Sequence, residues 1–221
     1  MNDVENYTGM IIKSRPAGDY DRLVTILAGS AGKINVFARG ARKPSSRFAA
    51  SSENFAFGTF KIARGQSSYY LHEADITNYF ESFRTDLELL SYASYFAEVA
   101  DYYCVEGDDS SDMAALLYIS FLALESPIFS NRFVRCIFVL RAILINGEFP
   151  GLTAGRTYNQ AVVAAVERIR NENIKNLFSF KLTENAEDEL FSLCREYEKR
   201  FLLKQFRSLE FLDSCGKKEH I

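Results

Sequence analysis

The hydrophobic pattern of this chain changes its period once, near Phe80, and that change restricts it to a β part followed by an α part. Before Phe80 the apolar residues come in short runs at 8–14, 22–28, 33–39, 55–64 and 68–79, broken by glycine-containing turns at 16–19, 29–32 and 65–67. Five short strands within about eighty residues predict a small barrel. Within 33–39 the side chains alternate, so Ile34, Val36 and Ala38 share a core face while Lys33, Asn35, Phe37 and Arg39 share the other.

After Phe80 the apolar spacing becomes three and four. Thr85-Asp86-Leu87-Glu88 reads as a capping box, with the Thr hydroxyl and the Glu carboxylate satisfying backbone donors at a helix start. Leu89, Tyr92, Phe96, Val99 and Tyr103 then form the stripe of a helix expected to be central. A polar break at 107–112 offers caps for a helix ending near 124. Ser130 caps the next helix, which stops at Gly147 with Pro150 beyond. Residues 151–157 form a loop, and helices are expected at about 158–170 and 184–203, with a short piece at 206–212. The expected organisation is α+β: a barrel domain at 1–80 and an all-helical domain at 81–221.

The charge is as uneven as the periodicity. The chain carries a net charge of -3, yet residues 1–80 hold ten Lys and Arg against seven Asp and Glu. Between Arg22 and Ser52 there are Arg22, Lys33, Arg39, Arg42, Lys43 and Arg47 and no acid. Cations flanking Phe37 have the composition of a single-strand binding surface, where charges track phosphates and a ring offers a stacking platform. The reading makes Arg22, Lys33, Phe37, Arg39, Arg42, Lys43 and Arg47 the candidate nucleic-acid contacts, with Phe37 exposed and the 40–47 segment a mobile loop. The bland alternative is a solvated face, and a second one is a barrel that meets an acidic protein.

No catalytic constellation is written in the chain. The two histidines, His72 and His220, lie in no motif with a nucleophile or metal partner, and there is no P-loop, GxGxxG, HExxH or GxSxG. Cys104, Cys136, Cys194 and Cys215 form no CxxC, so they read as reduced thiols filling small apolar spaces in a cytoplasmic protein, with no metal or cofactor expected. The acidic start Met1-Asn2-Asp3-Val4-Glu5 lacks an apolar core, so no secretory signal is expected, and the longest apolar runs fall short of the ~20 residues that span a bilayer. Arg141 lies on an apolar helix, so it needs an internal acid, or it lines a groove that captures a partner's carboxylate with Arg132 and Arg135 at the rim.

Several stretches resemble the bacterial recombination mediator RecO family: residues 18–24 (GDYDRLV), Gly32-Lys33-Ile34, 38–44 (ARGARKP) and Ser46-Arg47-Phe48. The likeness continues through Tyr69-Tyr70-Leu71, Asp86-Leu87-Glu88, 92–95 (YASY), Leu140-Arg141 with Gly147 and Pro150, and 208–212 (SLEFL). The resemblance implies an OB-fold barrel followed by helices, in a non-enzymatic bacterial protein of the nucleoid. It implies binding of single- and double-stranded DNA, annealing, contact with RecR and the SSB tail, and loading of RecA on SSB-coated DNA. Many members carry a four-cysteine zinc motif after the proline, whereas residues 151–180 contain no cysteine, so the zinc module is expected to be missing. Val139 also stands where an acid is common in the family, which leaves Arg141 without its usual partner.

Overall fold

In a computed structural model, residues 4–215 are described, and they divide into two units. One comprises residues 4–85 with Tyr103–Ala114, the other Asp86–Tyr102 with residues 115–215.

The first unit is a closed barrel of five strands: β1 (Val4–Ala17), β2 (Asp21–Leu27), β3 (Lys33–Ala38), β4 (Phe57–Arg64) and β5 (Tyr69–Asn78). Their order is β1-β2-β3-β5-β4, antiparallel except for a short parallel pairing of β3 with β5, which is the arrangement of an OB-fold. Strand β1 closes the barrel by serving two neighbours, pairing with β4 along Val4 to Met10 and with β2 along Met10 to Ala17. This requires bending, and two facing glycines allow it. A Cβ on Gly9 would lie 2.2 Å from the Leu27 carbonyl oxygen, and one on its cross-strand partner Gly58 would lie 2.1 Å from that of Asp75.

The alternation read in β3 holds: Ile34, Val36 and Ala38 are buried and join Ile11, Val24, Ile26, Phe60 and Ile62 in the barrel core. Each large side chain so buried contributes about 1.5–3 kcal/mol. In β1 a bulge between Ile11 and Lys13 buries two consecutive isoleucines and then turns Lys13 and Arg15 outward.

The segment after β3, expected as a mobile loop, is anchored by its own turns and by two core residues. It is a string of turns closed by Ala41→Ala38, Lys43→Gly40, Ser46→Lys43 and Ala49→Ser46 backbone hydrogen bonds, and Ala41 and Phe48 enter the barrel core. Burial of Phe48 outweighs the flexibility that Gly40, Pro44, Ser45 and Ser46 would otherwise give.

The helices are α1 (Ser82–Thr85), α2 (Leu87–Tyr103), α3 (Ser111–Leu124), α4 (Asn131–Ile145), α5 (Gln160–Asn171), α6 (Glu184–Phe201) and α7 (Arg207–Cys215). The expected capping box is corrected. Thr85 belongs to the short turn of α1 and donates to Ser82, so the cap of α2 falls to Asp86, whose Oδ1 accepts from the Glu88 and Leu89 amides. Ser130 does cap α4, accepting from Phe133 at 3.0 Å, and Gly147 follows its end with a φ of 75°.

The central place belongs to α4 rather than α2. Its residues from Phe133 to Leu140 are buried without interruption, and Phe138 stacks on Phe96 of α2 at 4.2 Å. No helix among the described residues is long and apolar enough to cross a membrane.

Candidate nucleic-acid interface

The outward face of the barrel is assembled by register. Arg15 of β1 stands opposite Leu23 of β2, Leu23 opposite Phe37 of β3, and Phe37 opposite Tyr70 of β5. At strand spacing this row spans roughly 14 Å. The Phe37 and Tyr70 ring centroids are 6.0 Å apart and tilted by 31°. Phe37 is therefore half-buried against a second ring rather than standing alone in solvent as expected. The Arg39 guanidinium lies over Tyr70, 4.2 Å from its centroid. A second row runs beside it, Lys13, Thr25 and Asn35, with the Thr25 hydroxyl donating to Asn35 at 2.8 Å.

The turns after β3 fasten more cations around this face. The Arg42 amide donates to Tyr20, and its guanidinium to the carbonyls of Gly18 and Asp19 at 3.1 and 3.2 Å. Lys43 lies 5.4 Å from the centroid of the Tyr20 ring, which is 57% exposed. Asp21 accepts from the Gly40 amide, so its carboxylate fixes the backbone that presents Arg39. Arg47 donates to the His72 carbonyl of β5 at 2.8 Å and lies over Phe48. Among the described residues none of Lys13, Arg15, Arg39, Arg42, Lys43 and Arg47 is in an ion pair, so their charge is directed at solvent.

Two members of the sequence-derived set lie elsewhere. Arg22 shares the inward register of β2 with Val24 and Ile26, and it is held by Glu53 at 2.6 Å and by Ser14 at 3.1 Å. Glu53 is the first acid after the acid-free stretch. Lys33 begins β3, about 13 Å along the strand from Phe37, where its amide donates to Val105. The structure adds Lys13, Arg15, Tyr20 and Tyr70. The doublet Tyr69-Tyr70 and the i, i+2 pair Lys13 and Arg15 were visible signals, but the bulge in β1 and the parallel β3–β5 pairing were not.

The three candidate arginines of the helical unit, Arg132, Arg135 and Arg141, are engaged internally. Arg135 is 2% exposed and forms a two-pronged pair with Glu198 at 2.8 and 2.6 Å, while Tyr95 donates to the same carboxylate at 2.9 Å. Burial opposes the Arg135 charge, but the Glu198 hydrogen bonds and charge outweigh it and raise its pKa. Burial foremost, with Glu198, pushes the Tyr95 phenol well above its ordinary range. Arg132 pairs with Asp188 at 2.6 Å and Glu187 at 3.4 Å nearer the surface. Arg141 donates to the carbonyls of Ile169 and Arg170 at 2.5 and 3.0 Å, which brings its charge to the negative end of α5. Val139 beside it is fully buried.

Cys104, Cys136 and Cys194 are buried thiols; burial first, then contact with Cys136, pushes the Cys194 thiol up. The Cys215 side chain and His220 lie outside the described residues, and His72 is exposed on β5. Among the described residues no three His, Cys, Asp or Glu are grouped to hold a metal ion.

Residues 1–80 match the family described as Recombination protein O N terminal. The chain is 25% identical to the DNA repair protein RecO of Acetivibrio thermocellus, over 95% of this chain and 96% of that protein. It is 23% identical to the protein of the same name from Clostridium acetobutylicum, over 93% and 95%. A shorter match to that of Clostridium novyi reaches 36% over 41% of this chain and 35% of the relative. The first 80 residues thus match the N-terminal domain of the RecO family, and over nearly its whole length the chain is similar to proteins named DNA repair protein RecO.

Proposed function

We propose that this chain acts in DNA repair as a recombination mediator that holds nucleic acid on its barrel and performs no catalytic turnover. The observation that carries this reading is the Phe37–Tyr70 platform with Arg15, Arg39, Arg42, Lys43 and Arg47 around it, directed at solvent without an acid in an ion pair among the described residues. Rings give any base a stacking surface, and cations follow the phosphates. The strand 2–3 face and the β1–β2 turn, which carries Tyr20, are where OB-folds bind oligonucleotides. The name shared by the full-length relatives supports the repair context.

In this reading the barrel takes both single- and double-stranded DNA and brings complementary strands together. With RecR the protein helps RecA onto SSB-coated DNA, in the bacterial cytoplasm. The acidic tail of SSB would exchange with Asp188 at Arg132, whose side chain is 36% exposed. An acidic protein on the barrel is the competing reading; it would use the cations but gives no role to outward-facing rings.

The test is titration of the full-length protein against a fluorescent oligo-dT and, separately, an acidic peptide. Binding of the oligonucleotide, falling steeply with salt and lost when Arg39 and Arg42 are both changed to Glu, is expected. Wild-type affinity in that variant, or a preference for the peptide alone, would contradict the assignment.

A further inference from the structure

The helical region 81–221 is acidic as a whole, with 16 Lys and Arg against 22 Asp and Glu, yet residues 199–207 (KRFLLKQFR) hold four cations and no acid. This segment is the elbow between α6 and α7. Leu202 and Phe206 are buried, and Phe206 packs edge-on against Tyr95 and Tyr102 at 5.6 and 5.9 Å. These two anchors fix the backbone. The residues between and beside them, Lys199, Arg200, Leu203, Lys204 and Arg207, face solvent, and Leu203 is 80% exposed.

Helix electrostatics explains only half of the cluster. Lys199 and Arg200 lie in the last turn of α6, where cations offset the negative end of the dipole. Lys204 lies beyond that helix, and Arg207 opens α7, at the end where a cation is disfavoured. Among the described residues none of the four is in an ion pair. A protruding apolar side chain ringed by cations is the composition with which proteins press a wedge against base steps while binding the flanking phosphates of a duplex. The elbow has one half-buried ring, Phe201, which lies beneath Arg200 at 5.1 Å and edge-on to the buried Tyr197 at 5.8 Å, so it offers no pair of outward rings like the Phe37–Tyr70 platform for a single strand to stack on.

We propose that the α6–α7 elbow is a second nucleic-acid contact that takes double-stranded DNA. Lys199, Arg200, Lys204 and Arg207 hold phosphates, and Leu203 meets the groove. The site does not rest on the barrel's assignment.

The experiment compares binding of a fluorescent hairpin duplex and an oligo-dT to the full chain over a range of salt, for wild type, K204E/R207E, L203A and R39E/R42E. For K204E/R207E the slope of log K against log salt on the duplex should fall by about 2, at roughly 0.9 per phosphate, with oligo-dT affinity nearly unchanged. L203A should weaken duplex binding several-fold without altering the slope. Unchanged duplex binding in both elbow variants would overturn the proposal. So would equal losses on duplex and oligo-dT, or loss of binding to a poly-glutamate peptide with the duplex unaffected, which would assign an acidic protein partner instead. Retained oligo-dT binding in R39E/R42E would refute the barrel reading alone.

Discussion

Arginine does opposite work in the two units. On the barrel, Arg39 lies over the Tyr70 ring and Arg42 and Arg47 donate to backbone carbonyls, so each is oriented while its charge stays unneutralised. In the helical unit Arg135 is taken out of water and spent on Glu198. The difference lies in where the acids fall. None occurs between Arg22 and Ser52, and the first one beyond, Glu53, reaches back and neutralises Arg22. A ring or a carbonyl positions a guanidinium without cancelling its field; a carboxylate does both. A binding surface needs the former and a core the latter.

The largest effect should come from breaking the buried pair. Glu198→Ala leaves the Arg135 charge inside the helical unit and also removes the acceptor of Tyr95, so it should cost about 3–5 kcal/mol in urea unfolding followed by circular dichroism. A loss below about 1 kcal/mol would place Arg135 with the barrel arginines and remove the contrast. Next comes the platform: Phe37→Ala and Tyr70→Ala should each weaken oligo-dT binding by about 1–3 kcal/mol, read from anisotropy titrations. If both variants bind like wild type, charge alone would explain the barrel.

A smaller effect is alkaline. Burial, the largest cause, pushes the Tyr92 phenol up to about 12, so folded Tyr92 keeps its proton while the unfolded chain releases it near 10. Above pH 10 the unfolded state therefore binds fewer protons than the folded one, and stability falls as pH rises towards 12. Tyr92→Phe should flatten that fall in unfolding curves taken between pH 9 and 12, and an identical decline would assign it elsewhere.

Much of this architecture is legible in the residues. The switch of period at Phe80, the glycine turns and the caps place all five strands and the long helices to within a few positions. The alternation in β3 identifies its core face correctly. What local pattern does not supply is pairing across distance. Tyr70 reaches Phe37 through a parallel contact with a strand 33 positions later, and Arg22 finds Glu53 after 31. The β1 bulge hides Lys13 and Arg15, because one extra residue reverses the alternation used to assign faces. Phe48 was the available warning that the basic loop is packed, since an aromatic inside a polar run has to be buried somewhere. Thr85 and Asp86 both suit a cap, and only the extra turn of α1 decides between them.

The contrast between positioned and neutralised cations is tested most directly by the salt dependence of oligo-dT binding in Arg39→Ala and Arg22→Ala, measured side by side with wild type. The slope of log K against log salt should fall by about 0.7 for Arg39→Ala, one single-strand phosphate contact, and stay at the wild-type value for Arg22→Ala. Equal slopes in all three proteins, or a fall for Arg22→Ala alone, would contradict the account.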